Sequence, residues 1–334
     1  MKNYLFCLKC SKAKIGLLFI LFIFSSCLSD KKDKTSTTTS AEEVSKTEKS
    51  EINQKVTITT NAMDFNGPRE LNSGWNTFEY KNKSSDVHFF VIEKMPDNKT
   101  IENSKKEVVP VFQEGMDFFN DGKIQEGIDA FGKLPEWYSE VVFMGGPGLT
   151  SPGKSSTNTV YLEPGYYVYE CYVKMPNGQF HSTAGMIDFF EVKSNKTNIE
   201  EPKNTIDLVI SSENGFTIKD SLSKGIQNFK VIFKEQQTYE NFLGHLLRSS
   251  YDVHLVQLDE SANLEKLEEW MNWTNPEGFI TPSPEGVTFL GGTQEMPAGE
   301  TSYFSAELKP GDYAFIAEIP NSSEKGMLHQ FRIE

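Results

Sequence analysis

Residues 145–171 and 291–317 repeat one another at a constant offset of 146, with no gap. The first stretch opens Gly145-Gly146-Pro147-Gly148 and runs on to Leu162-Glu163-Pro164-Gly165-Tyr166-Tyr167. The second opens Gly291-Gly292 and reaches Leu308-Lys309-Pro310-Gly311-Asp312-Tyr313. Two shorter blocks flank them in the same order: Asp86-Val87-His88 matches Asp252-Val253-His254, and Gly185-Met186 matches Gly326-Met327. Four matched blocks in one order mean a duplicated domain, and two copies are too few for a solenoid.

Each copy reads as β structure. Val56 to Thr59, Thr77 to Tyr80 and Val160 to Leu162 alternate in polarity with period two. Tyr166 to Val173 is rich in aromatic and β-branched residues, and Pro and Gly punctuate the gaps at sandwich-like intervals. A helical insert separates the His block from the Gly-Gly block in each copy. In the second copy Leu264, Leu267, Trp270 and Met271 fall on one helical face, with Asn263 placed to cap it. The first insert is longer: Ile124, Ile128 and Phe131 have helical spacing, Asn120-Asp121-Gly122 breaks this helix from an earlier one, and Pro110 would kink or start that one.

The first thirty residues are of another kind. Lys2, Lys9, Lys12 and Lys14 precede an apolar run, Ile15 to Phe24, that is about half the length needed to span a bilayer. A basic start, a short apolar run and the small residues Ser25 and Ser26 describe a secretory signal. Cys27 follows, and the ending resembles the lipobox of bacterial lipoproteins, with Phe24 where that family usually has leucine. The resemblance implies cleavage after residue 26 and acyl chains on Cys27, several of which give stable anchoring. Residues 27–53 are polar, of mixed charge and too poor in apolar side chains to fold; as a flexible coil they would reach about 25–30 Å.

The whole chain carries 33 basic and 47 acidic residues. Removing the signal takes away four lysines and no acid, so the exported chain is more acidic still. Such a surface repels phosphate backbones and anionic headgroups, which excludes nucleic acid as a partner and leaves the lipid to hold the protein at a membrane. Of the four cysteines, Cys7 and Cys10 lie in the signal and Cys27 is the lipidation site, so Cys171 is the one free thiol of the exported chain.

The first copy holds His88 early, then Cys171, His181 and Met186 late. Two imidazoles, a thiolate and a weak axial thioether are the donors of a blue-copper site. With these residues and the Leu162-Glu163-Pro164-Gly165-Tyr166-Tyr167 phrase, the chain resembles the cupredoxins, the family of plastocyanin, azurin and the domains of copper nitrite reductases. The resemblance implies an all-β chain of two tandem Greek-key β-sandwiches with short helical inserts, at 54–194 and 204–334. It implies one type-1 copper in the first, bound by His88, Cys171, His181 and, axially, Met186. His181, on a loop, would be the electron port. Nine residues separate Cys171 from His181, close to the long ligand loop of copper nitrite reductases, and four separate His181 from Met186.

The second copy departs from the pattern. Ala317 stands at the Cys171 position, counting back from Met327 puts Ser322 at that of His181, and His254 and Met327 remain. The exported chain has five histidines, against the eight of a trinuclear copper cluster. The neighbours of Cys171 are Glu170 and Tyr172, not the bridging His of the nitrite reductases. The chain is therefore expected not to be an enzyme. It is expected to be a lipid-anchored electron carrier of the cell envelope, on the outer membrane and facing the periplasm or the cell surface, with an unidentified redox or envelope protein as partner. A metal-free binding or structural module and a Cu(I) carrier are the rival readings. Tyr167 and Tyr313 are expected as structural corners, Trp137 and Trp270 as packing residues, and Gly145 to Gly148 as a turn rather than a phosphate cradle.

Overall fold

The computed structural model describes residues 55–203, 205–237 and 251–334. The signal, Cys27 and all of the expected tether lie outside the described residues. Glu51–Glu334 forms one compact unit. It is all-β, with 41% of the described residues in strands and 15% in helices.

In the first copy the strands are β1 (Lys55–Thr60), β2 (Phe65–Asn66), β3 (Glu70–Asn82), β4 (Val91–Lys94), β5 (Val142–Phe143), β6 (Ser155–Leu162), β7 (Gly165–Glu170) and β8 (Ile187–Lys196). β3 serves both layers of the sandwich. Its first residues pair in parallel with β8, and after an irregularity at Asn72 and Ser73 the rest pairs with β6 and β1. Beyond Gly74 its burial alternates strictly: Asn76, Phe78, Tyr80 and Asn82 point inward, while Thr77, Glu79 and Lys81 face out. That is the pattern of a sheet with one wet face. β8, β7, β4 and β5 continue the other layer.

The second copy follows with β9 (Ile206–Ser211), β10 (Gly215–Ile218), β11 (Gly225–Phe233), β12 (Val253–Leu258), β13 (Val287–Thr293), β14 (Thr301–Leu308), β15 (Gly311–Ile316) and β16 (Leu328–Ile333). The offset of 146 carries β6 onto β14 and β7 onto β15 residue for residue. β13, β12, β15 and β16 form a separate four-stranded sheet.

The copies are joined through equivalent parts. β14 pairs antiparallel with β6, with Tyr303 opposite Thr159 and Ser305 opposite Thr157, so one 12-stranded sheet runs through both. The Thr157 and Ser305 hydroxyls meet at 2.6 Å, and Asn158 Nδ2 donates to Ser302 Oγ at 2.9 Å. The two Gly-Gly segments also pair: Gly145 N donates to Glu295 O, Gln294 N to Gly146 O and Gly291 N to Leu149 O, each at 2.9 Å. These segments are turns and strand ends, as expected. Gly146 has φ +119°, and a Cβ there would stand 2.2 Å from the Phe90 carbonyl oxygen; Gly292 has φ +136° and the same conflict with Val253 O at 2.0 Å.

Both tyrosine corners form. Tyr167 Oη donates to Glu163 O at 2.8 Å and Tyr313 Oη to Lys309 O at 2.9 Å. The inserts are helical: α1 (Val109–Asn120) has Pro110 in its first turn, α2 (Ile124–Phe131) follows the Asn120-Asp121-Gly122 break, and α3 (Leu264–Met271) is capped by Asn263, whose side chain accepts from Lys266 N. A turn of helix, Ile101–Asn103, and a π-helical stretch, Ser104–Val108, lead into α1. α3 buries Leu267, Trp270 and Met271 as its pattern requires. α2 buries the Ile124, Ile128 and Phe131 face only in part: Phe131 is buried and Ile128 half-buried. Ile124 is 58% exposed, and the buried residues are Gly127, Ala130 and Phe131. α1 and α2 approach so closely that Phe119 lies over Gly127 and Phe131 over Gly115, which leaves Ile124 beyond the contact.

The conflict at Gly146 yields a prediction. Gly146→Ala sets a side chain against a fixed carbonyl at positive φ and should cost about 3 kcal/mol or more in urea unfolding. Gly153→Ala, also at positive φ (+72°) but with nothing within 4 Å, should cost about 1 kcal/mol.

Candidate metal centre

Cys171 follows the end of β7, and its amide donates to Met186 O at 3.2 Å. The Met186 amide donates to His181 O at 2.8 Å and the His181 amide to Val173 O at 2.8 Å. The loop is thus closed by three backbone bonds that bring Cys171, His181 and Met186 to one place. His88 is held from the other side, exchanging backbone bonds with Thr150 at 3.2 and 2.7 Å. Asn82, at the end of β3, donates through Nδ2 to Asp86 O and Thr150 O, both at 2.7 Å, and accepts from Ser84 through Oδ1. A buried amide thereby fixes the two loops that carry and back His88.

The side chains converge. His88 Nδ1 and His181 Nδ1 are 3.0 Å apart, and Cys171 Sγ lies 3.8 Å from the first and 3.7 Å from the second. A point equidistant from three atoms so spaced lies about 2 Å from each, close to metal–imidazole and metal–thiolate bond lengths. His88, Cys171, His181 and Met186 are all wholly buried. Met186 shares an apolar cluster with Cys171 that draws Val87, Phe89 and Leu149 from the first copy and Val256, Leu267 and Met271 from the second. All four expected ligands are therefore brought together, inside a core that both copies build.

The electrostatics suit soft donors. Burial holds the His88 ring at about 3, with the His181 charge adding to the effect, and burial alone holds His181 at about 4. Both rings are neutral at pH 7 and offer lone pairs. Burial pushes the Cys171 thiol up to about 12, against the backbone amides of Phe89 and Val173 that point at its sulfur. Glu170 and Glu318 push it the same way as burial. A thiolate at this place requires a cation beside it. Nε2 of both rings is buried without a hydrogen bond among the described residues. No second bond to the protein fixes either tautomer, which leaves both Nδ1 atoms free to present a lone pair inward. Two imidazoles, one thiol and one thioether fit a copper ion of the blue type.

His181 does not serve as an exposed port. It lies on a loop as expected, but its side chain is wholly buried.

The second copy repeats the frame without the donors. Ala317 N donates to Met327 O at 3.0 Å and Met327 N to Ser322 O at 2.6 Å, so Ala317, Ser322 and Met327 stand where Cys171, His181 and Met186 do. His254 occupies the place of His88, but its setting is new. The Leu149 amide donates to His254 Nδ1 at 2.9 Å, while Nε2 lies 2.7 Å from Glu318 Oε1 and 3.3 Å from Asp252 Oδ1. Neither oxygen is aligned with Nε2 for a directed hydrogen bond, so the contact is chiefly Coulombic. Burial pulls this ring's pKa down, yet the Glu318 and Asp252 charges outweigh it and raise the value to about 9. The Leu149 amide works against that rise, because a doubly protonated ring has no lone pair to receive it. Asp252, His254 and Glu318 have metal-like spacing, but the Leu149 amide occupies the Nδ1 of His254. Tyr172, next to Cys171, donates to Glu318 Oε2 at 2.7 Å, so it contacts the residue that the offset of 146 makes its own equivalent. Asn82, Thr150, Tyr172, Asp252 and Glu318 were not singled out in the sequence. Asp86-Val87-His88 and Asp252-Val253-His254 match letter for letter, and nothing in them separates the two roles. His329 is exposed on β16 and away from His254.

No protein-family model and no curated protein matches this chain. Solved structures similar to it include cupredoxins and larger copper enzymes. Auracyanin from Roseiflexus castenholzii is 18% identical, covering 42% of this chain and 97% of its own at a TM-score of 0.26. The blue copper oxidase from Nitrosomonas europaea is 13% identical over 83% of this chain and 85% of its own, TM-score 0.22. The copper-containing nitrite reductase from Thermus scotoductus is 9% identical over 84% of this chain and 61% of its own, TM-score 0.21. Oxidases and a nitrite reductase thus match most of the chain, which corrects the expectation that it is not an enzyme. That expectation tested for two histidine arrangements only, and other residues adjoin the centre.

The pKa shifts set the pH behaviour of the metal-free protein. His88 and His181 bind protons more readily unfolded, near 6.5, than folded, at about 3 and about 4. Their contribution is complete above pH 6.5 and is lost as pH falls toward 4. Urea unfolding at pH 7.5 and pH 5 should show the wild type losing about 1–3 kcal/mol more than a His88→Gln variant over that interval.

Proposed function

We propose that this chain is a membrane-tethered, type-1 copper protein of the cell envelope that passes single electrons. The observation that carries the reading is the buried triangle of His88 Nδ1, His181 Nδ1 and Cys171 Sγ, with Met186 beside it. A copper ion held there supplies one-electron chemistry by changing oxidation state. The protein's own contribution is to keep both imidazoles neutral, to offer a thiol that ionises only next to a cation, and to hold the donors rigidly through the Cys171–Met186 and Met186–His181 backbone bonds. Rigid donors resist the change of geometry that each oxidation state prefers, which favours fast electron transfer. Met186 would supply the weak thioether donor that tunes the potential.

The anchor would be a lipidated Cys27, and the basic start, the short apolar run and Ser25-Ser26-Cys27 support a place outside the cytoplasm, on the outer membrane and facing the periplasm or the cell surface. A redox protein of the envelope would be the partner.

Added Cu(II) should give the purified protein an intense blue band with one copper per chain, absent in Cys171→Ser. A folded, colourless protein that binds Cu(I) tightly would replace electron transfer with a carrier role, and one that binds neither ion would leave a metal-free module. The anchor is tested separately: Cys27→Ser should move the protein from the membrane pellet to the soluble fraction of the producing cell.

A further inference from the structure

A cavity of about 60 Å³ lies between the α1 segment of the first copy and the 252–295 region of the second. Four carboxylates line it: Glu93, Glu170, Asp252 and Glu295. Aromatic rings make much of the remaining wall, among them Phe112 and Phe180 from the first copy and Trp273 from the second. Among the described residues no lysine or arginine lines it.

Three of the acids interact with partner groups, Glu295 among them. Ser182 donates to Glu170, and Asp252 accepts from the Glu318 amide at 3.0 Å. Glu93 has none. It is 5% exposed, it faces the cavity from β4, and no hydrogen bond or ion pair reaches its carboxylate among the described residues. A buried carboxylate without a partner is costly, and a bound cation relieves that cost. Burial, then the charges of Glu170 and Glu295, push the Glu93 carboxyl well above the usual range.

A bare metal ion needs several donor atoms at one point. Among the described residues, groups of three His, Cys, Asp or Glu donors within 4.8 Å occur only at His88, Cys171 and His181 and at Asp252, His254 and Glu318. Glu93, Glu170 and Glu295 do not converge in that way. The charge is spread around an aromatic-walled space, which suits a cation with an apolar body, held by carboxylates at its head and by ring faces along its side.

We infer that this cavity is a binding site for a small organic ammonium ion, with Glu93 as its principal counter-charge. The inference does not depend on copper. Glu170 and Ser182 are the chain neighbours of Cys171 and His181, so an occupant would sit beside the candidate metal centre.

The test is calorimetric titration of the copper-free protein with n-butylammonium, n-butanol and Mn(II), repeated on Glu93→Gln. The expected result is saturable binding of n-butylammonium, with n-butanol at least about tenfold weaker and Glu93→Gln reducing ammonium binding about tenfold. Equal binding of the alcohol and the ammonium ion would reduce the site to an apolar hollow. Binding of Mn(II) but not n-butylammonium would make it a metal site, and no saturable binding would remove it altogether. Unchanged ammonium binding in Glu93→Gln would overturn the role of Glu93. Circular dichroism checks that this isosteric variant folds; if it does not, the wild-type ratio of ammonium to alcohol binding decides.

Discussion

The structure depends on one backbone edge used twice. β6 and β14 are the same strand of the duplicated unit, and they pair with each other. The Gly-Gly segments, also equivalent, pair beside them, and Tyr172 meets its own equivalent Glu318. An edge strand left open is an aggregation hazard. Here the partner that closes each edge is the other copy. The consequence reaches the interior. Once β6 and β14 are joined, the space behind His88 and Cys171 is bounded by the second copy, whose Val256, Leu267 and Met271 fill it. The dryness that holds both imidazoles neutral and the thiol protonated is produced by the duplication, not by the first copy alone.

The ligand loop shows which part of the candidate centre belongs to the fold. The second copy lacks the thiol and one imidazole yet keeps two of the three backbone bonds that close the loop, from Ala317 to Met327 and from Met327 to Ser322. Loop closure therefore needs neither the cysteine nor a metal. It is encoded in the turn that ends at Gly185 or Gly326 and in the strand that follows. The donors are carried on a frame that forms without them, which is the condition for a preorganised site.

Much of this was legible in the sequence. The offset of 146, the Pro-Gly-x-Tyr corners, the Asn263 cap and the spacing of Cys171, His181 and Met186 all rest on short-range rules. What was not legible depends on contacts between copies. Ile124 has the right period for a buried face, but Gly115 and Gly127 let α1 and α2 close past it. His181 sits on a loop, and sequence cannot say that its ring is wholly buried. His88 and His254 share the phrase Asp-Val-His, and only the third dimension separates a ring facing a thiol from a ring facing two carboxylates.

That divergence follows a consistent electrostatic logic. A buried imidazole must be kept neutral or given a counter-charge. The first copy takes the first course, surrounding His88 with apolar side chains, a second neutral ring and a thiol. The second copy takes the other, placing Glu318 after Ala317 and turning Asp252 toward His254. Asp86, the equivalent of Asp252, is half-exposed, and its carbonyl oxygen is held by Asn82 instead. Acid introduced at the copy interface then spreads: Glu318 receives the Tyr172 hydroxyl, while Asp252 lines the cavity that also holds Glu93, Glu170 and Glu295. Only the Glu318 share of the negative field around Cys171 comes with how the second copy stabilised its histidine; Glu170 of the first copy supplies the rest. The field acts on the thiol in one direction only, opposing ionisation until a positive charge arrives.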